Sequence, residues 1–245
     1  MDFSPYATFA KDVLGVTFKD LGLLVTAFTH RSYVNEHKKT VQVHNERLEF
    51  LGDAVLELVS TEYLYGAFNE PEGILTNWRS SLVRTESISA AASKFAFEPL
   101  LRLSRGERRG TERARAQILA NCYEAVIGAL YLDQGYDAAK AFIEKSILST
   151  FNDILKSGSW MDPKSRYQEF VQSTEGFTPS YKVLSEEGPD HDKVFRVGVF
   201  VENQLRGEGE GPSKQIAQIN AAEIALKAGK KAKAATPVDN SSATL

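Results

Sequence analysis

One cysteine, two tryptophans and two methionines stand among 245 residues, and no apolar run approaches the roughly 18 residues that cross a bilayer as a helix. The lone Cys122 excludes an internal disulfide, and its place in an apolar stretch predicts a buried, reduced thiol and a cytoplasmic setting. The opening residues MDFSPYATFAKDVLG lack a basic start followed by an apolar segment, so neither a targeting signal nor a membrane partner is expected. A surplus of positive charge is missing too: 29 Lys and Arg face 32 Asp and Glu, a net of −3. Binding of phosphate backbones by bulk charge is thereby excluded, because such affinity comes from clustered cations. His30, His37, His44 and His191 are scattered without metal-ligand or triad spacing, which removes Ser/His/Asp and Cys/His catalysis from consideration.

What is present is ordered. An apolar content of 42% suffices for real cores, and the length fits two modest domains. From residue 3 to about 156 apolar residues recur every three or four positions, which predicts a helix bundle with segments near 3–14, 20–26, 46–65, 73–95, 111–132 and 136–155. The stretch SGSWMDP at 157–163 marks a linker, with a proline placed to open a new helix. Beyond it the pattern changes to one helix at 164–173, three alternating segments (YKVLSEE, KVFRVGVFVE and QLRGEGE) and a closing helix at about 213–228, an αβββα unit. Expected boundaries are 1–158, 159–229 and a disordered tail at 230–245 that lacks apolar periodicity. Arg102, Arg105, Arg108, Arg109, Arg113 and Arg115 crowd one short segment and offer a local positive patch.

The chemistry concentrates in HNERLEFLGDAVLELV. Glu46, Glu49 and Asp53 are spaced three and four apart, so they share one helix face, and no Lys or Arg occupies the intervening partner positions. A solvated acidic face shows the same spacing, but Leu48, Phe50, Leu51, Val55, Leu58 and Val59 surround these acids and predict a packed helix. A hard divalent cation would neutralise them, since magnesium is held by one or two carboxylates plus waters. Gly52, costly in a helix interior, implies close approach by another backbone, a partner chain or substrate. In ILANCYEAVIGALYLD, Glu124 is the sole charge from Ile118 to Leu132, and an isolated carboxylate is rarely buried without a partner or a metal. Asn121, three residues earlier on the same face, offers an amide oxygen that can coordinate directly or hold a metal-bound water.

HNERLEFLGDAVL and NCYEAVIGALYLD resemble the two motifs of the ribonuclease III family. FTHRSYVNE (28–36), LTNWRSSLVRTESISAAA (75–92) and LRLSRGE (101–107) occur in that family's order. The resemblance implies an all-α endonuclease domain followed by a small α+β (αβββα) double-stranded-RNA-binding domain. It implies metal-dependent, staggered cleavage of double-stranded RNA giving 5′-phosphate and 3′-hydroxyl ends, in ribosomal and other structured precursor RNAs. Glu49, Asp53 and Glu124 match metal ligands for Mg²⁺, with Mn²⁺ as the substitute, and Glu46 matches the first acid of the signature; no other small-molecule cofactor is implied. With Asn121 assisting, these residues make up the expected catalytic and metal site. Phe50 resembles the residue that plugs a socket on the partner of a symmetric homodimer. The family usually has aspartate where Asn121 stands, so the alternative is a duplex-RNA-binding protein whose catalysis is weakened or lost.

The C-terminal unit resembles a double-stranded-RNA-binding domain, which reads A-form shape more than sequence. By that likeness Gln168, Glu169 and His191 fit minor-groove contacts, while Lys214 with the amides of Ser213 and Gln215 fits a phosphate contact at a helix N-terminus. The family usually has two adjacent lysines and then a glutamate where this chain has Lys214, Gln215 and Gln218. From 159 to 229 eight Lys or Arg face eleven Asp or Glu, so binding has to depend on a local face.

Overall fold

Apolar spacing becomes helix throughout the N-terminal part of the chain. A computed structural model describes residues 2–158, 160–189 and 192–235. It forms α1 (Ser4–Phe9), α2 (Leu21–Ala27), α3 (Arg31–Glu36), α4 (Glu46–Ala67), α5 (Glu72–Leu82), α6 (Thr85–Lys94), α7 (Glu112–Gln134), α8 (Tyr136–Ser146) and α9 (Phe151–Ser157). The chain divides into two compact units, Met1–Trp160 and Met161–Leu245. Among the described residues no helix is long and apolar enough to cross a membrane.

At the centre of the first unit α4 packs on α7, and the contact is set by glycine. A Cβ on Gly52 would lie 1.7 Å from the Glu124 carbonyl oxygen, and one on Gly128 would lie 2.2 Å from the Leu48 carbonyl oxygen. Only hydrogen at both positions lets the two backbones touch. Around this crossing Val55, Leu56, Val59, Cys122, Val126 and Ile127 are buried. Phe28 and Phe97 meet Phe9 edge-on at 5.2 and 5.1 Å, the spacing that aromatic quadrupoles favour. Buried Asp133, near the end of α7, accepts the backbone N–H groups of Lys19 (2.9 Å) and Asp20 (2.7 Å), while Asp20 caps α2 through Gly22. Burial pushes the Asp133 carboxyl pKa up, but the hydrogen bonds from Asp20, Lys19 and Gln134 outweigh it and hold the group below its ordinary value.

Three expected segments differ in detail. The single helix expected at 73–95 is two, because the Ser87 hydroxyl donates to the Ser81 carbonyl at 2.8 Å and ends α5. The helix expected at 136–155 also breaks, where Ser149 and Thr150 turn their hydroxyls onto the carbonyls of Lys145 (2.8 Å) and Ile147 (2.7 Å). α3, six residues long, was not anticipated; His30 caps it by accepting from the Ser32 N–H at 3.3 Å, and so short a helix leaves no periodic signal.

In the second unit α10 (Pro163–Glu175) starts where Asp162 accepts from the amides of Lys164 and Ser165 at 3.0 and 3.1 Å. It is followed by β1 (Ser180–Glu187), β2 (Val194–Val201), β3 (Gln204–Gly211) and α11 (Lys214–Ala235). The strands form an antiparallel sheet in the order β1-β2-β3. Glu202 and Asn203, at φ 47° and 65°, make the β2–β3 turn, the left-handed pair that a two-residue hairpin needs. Tyr167, Val171, Val199, Val201, Ala221, Ala222, Ala225 and Leu226 form the core. α11 lies directly on β3, since a Cβ on Gly209 would come within 2.2 Å of the Ala221 nitrogen. This is the αβββα order expected. The disorder expected from residue 230 does not hold for 230–235, because Lys and Ala propagate the helix past Gly229; residues 236–245 lie outside those described.

Candidate active site

The Gly52–Gly128 crossing decides which side chains meet. It sets Glu49 and Asp53 of α4 against Asn121 and Glu124 of α7. The Glu124 carboxyl, half-buried, has its pKa pushed up from 4.5 to about 8 by burial first and then by the charges of Asp53 and Glu49. Glu49 is raised as well, by burial and by the charges of Glu46 and Asp53, while a hydrogen bond from Asn121 opposes the rise. Glu46 begins α4 on the rim, with Arg31 Nη1 at 3.6 Å and His44 Nδ1 at 3.8 Å from its oxygens.

These acids fit a divalent cation by their chemistry: oxygen donors, crowded negative charge and one carboxyl that holds its proton near neutrality for want of compensation. Among the described residues no three His, Cys, Asp or Glu side chains form a group that could by itself hold a metal ion. Magnesium does not require one, because it keeps several waters and takes one or two carboxylates directly.

The raised pKa has a consequence for stability. Between pH 4.5 and about 8 the native protein keeps a proton on Glu124 that the unfolded chain has lost. Native protein thus binds more protons there, and its stability falls as pH rises through that window. Urea unfolding in EDTA across the window is expected to show this slope in the parent and a flatter one in Glu124→Gln; equal slopes refute the assignment.

Other predicted positions fall elsewhere. Phe50 is 81% exposed on α4, and Leu58 and Tyr65 follow it on the same side of the helix, 52% and 81% exposed. Of the arginine cluster, Arg102 bonds Thr29 (3.0 Å) and lies over the Tyr33 ring, and Arg115 pairs with Glu98; Arg105, Arg108, Arg109 and Arg113 are exposed. In the second unit Gln168 and Glu169 are exposed on α10 and Gln215 on α11. Ser213 caps α11 by accepting from the Ile216 amide at 3.3 Å. Lys214 is engaged by Glu186 of β1 at 2.7 Å, and Gln218 accepts from Lys164 at 2.8 Å. His191 lies outside the described residues.

Residues 20–151 match the family model described as Ribonuclease-III-like, and residues 163–228 match the double-stranded RNA binding motif. Ribonuclease 3 of Enterococcus faecalis is 45% identical over 218 residues, covering 89% of this chain and 94% of that protein. The chain belongs to the ribonuclease III family. Ribonuclease 3 of Geobacillus kaustophilus is similar at 44% identity over 215 residues, 87% of each chain. The nuclease domain of Campylobacter jejuni ribonuclease III superposes with a TM-score of 0.51 at 36% identity, covering 57% of this chain and 97% of that one. As a ribonuclease III family member joined to a double-stranded RNA binding motif, it is an endoribonuclease that binds double-stranded RNA.

Sequence reasoning about this ribonuclease III family member missed two features of the site. Gly128, the counterpart of Gly52, reads as one small residue in an apolar run. Gln117 donates to Asn121 Oδ1 at 2.6 Å; the four-residue spacing was the available signal.

Proposed function

We propose that this protein hydrolyses double-stranded RNA in a divalent-metal-dependent reaction, cutting the strands with a stagger and leaving 5′-phosphate and 3′-hydroxyl ends. Its substrates in the cytoplasm are structured precursors, ribosomal and messenger RNA among them. The observation that carries this reading is Glu124 beside Glu49 and Asp53, its proton held up to about pH 8 by burial and by their charge. Glu49, Asp53 and Glu124 would hold Mg²⁺ or Mn²⁺, Asn121 assists, and Glu46 orders a hydrated ion or a 2′-hydroxyl. A divalent cation bound there supplies charge neutralisation at the phosphate and a water acidic enough to attack at neutral pH. Gln168, Glu169 and His191 take the minor groove, and Ser213, Lys214 and Gln215 a phosphate, Lys214 exchanging Glu186 for RNA.

A homodimer places one such site on each strand. The apolar stripe of Phe50, Leu58 and Tyr65 supports this, and one Campylobacter jejuni neighbour is described by a region involved in dimer formation of its nuclease domain.

A second reading, duplex binding without turnover, is favoured by Asn121, a neutral amide held by Gln117 where the family usually supplies another carboxylate. Incubating purified protein with a labelled RNA duplex in Mg²⁺, in EDTA and in Ca²⁺ separates the two. Mg²⁺-dependent staggered products are expected; tight binding in Ca²⁺ with an intact duplex in Mg²⁺ would establish the second reading instead.

A further inference from the structure

Near the end of β1 one carboxylate stands between two lysines. Register pairs Glu186 with Phe195 of β2, and Phe195 with Gly211 of β3, so the three lie side by side on one face of the sheet. This is the face on which α11 rests. A Cβ on Gly211 would lie 2.9 Å from the Ala217 nitrogen, and its absence lets the first turn of α11 settle beside Phe195. Lys214, the first residue of α11, places its Nζ 5.5 Å from the centre of the Phe195 ring and 2.7 Å from Glu186 Oε1. Lys193, just before β2, reaches Glu186 Oε2 at 3.7 Å.

We propose that Glu186 is an internal counterion of the RNA-binding face, which competes with an RNA phosphate for Lys214 and so lowers the affinity for duplex RNA and flattens its salt dependence. The proposal rests on the preceding reading that Lys214 contacts a phosphate. A lysine that neutralises a phosphate releases condensed cations from the duplex, which is why affinity falls as salt rises. When Lys214 leaves Glu186 for the phosphate, the carboxylate takes up cation from solution, and that uptake offsets part of the release. Lys193, on the other carboxylate oxygen, keeps Glu186 beside Lys214 and in competition with the RNA.

The test uses the full chain and a fluorescent RNA duplex, with Ca²⁺ in place of Mg²⁺ and Kd read by anisotropy across a KCl series. Glu186→Gln is expected to bind about fivefold more tightly at low salt, the worth of one exposed ion pair. Its slope of log Kd against log salt is expected to be steeper by about one. Glu187→Gln removes the same charge from the opposite face of β1, and is expected to change Kd less than about twofold. In a Lys214→Met background, Glu186→Gln is expected to gain less than about twofold. A Glu186→Gln protein that binds no more tightly than the parent, a gain that Glu187→Gln matches, or a gain that survives in Lys214→Met overturns the proposal. Lys214→Met binding as tightly as the parent refutes the phosphate contact, and the counterion with it; weak binding by Lys214→Met beside an unmoved Glu186→Gln refutes the counterion alone.

Discussion

Glu124→Gln is expected to lower single-turnover cleavage of duplex RNA by about a thousandfold, because a metal site supplies several kcal/mol to phosphodiester hydrolysis and each 1.36 kcal/mol is tenfold in rate. The substitution keeps shape and removes charge. The fold should not suffer, since the native carboxyl already holds its proton up to about pH 8 when no cation is present. Duplex binding in Ca²⁺, measured by gel shift, is expected to survive, because the second unit contributes contacts that do not involve Glu124. A Glu124→Gln protein that cleaves within tenfold of the parent would remove Glu124 from the metal site.

Gly52→Ala carries the largest structural penalty. Its new methyl would lie 1.7 Å from the Glu124 carbonyl oxygen, 2.6 Å from that carbonyl's carbon and 2.9 Å from the Gly128 nitrogen. All three are backbone atoms of a packed helix and cannot swing aside, so α4 and α7 must separate. Overpacking of this kind costs about 3 kcal/mol, more than the roughly 1 kcal/mol that alanine returns in helix propensity. Calorimetry of the full chain is expected to show the nuclease transition lowered by about 4–8 °C, at 2–4 °C per kcal/mol for the net loss of about 2 kcal/mol. Mn²⁺ affinity should fall with it, because separation carries Glu124 away from Glu49 and Asp53. An unchanged transition would mean that the close contact does not govern this packing.

How far the sequence led can be judged residue by residue. Glu46, Glu49 and Asp53 were legible because helical spacing stacks like charges, and Glu124 because a lone acid in an apolar run needs an explanation. The αβββα order was legible because hydrophobic period changes from helix to strand near residue 180. Gly52 announced a close approach, but its counterpart stayed hidden: pairing with Gly128 is a tertiary fact, and one glycine among alanines and isoleucines carries no local signature. The breaks at Val83 and Ile147 were invisible for a related reason. They depend on which carbonyl a serine or threonine hydroxyl reaches, and periodicity does not record that. Gln117 has no sequence signal of its own, because an exposed glutamine four residues from an asparagine is ordinary until the two amides are seen to bond.

Strand β3 spells alternating glycine and glutamate, and its two faces have different uses. Gly207, Gly209 and Gly211 let α11 rest on the backbone, which turns Glu208 and Glu210 to the opposite side, where Arg196 pairs with both. Two carboxylates share one guanidinium there, and Lys182, paired in register with Gly198 opposite Glu208, adds a second cation to the same side. The alternation thus sorts one strand into a face that admits a helix and a face that carries the charge.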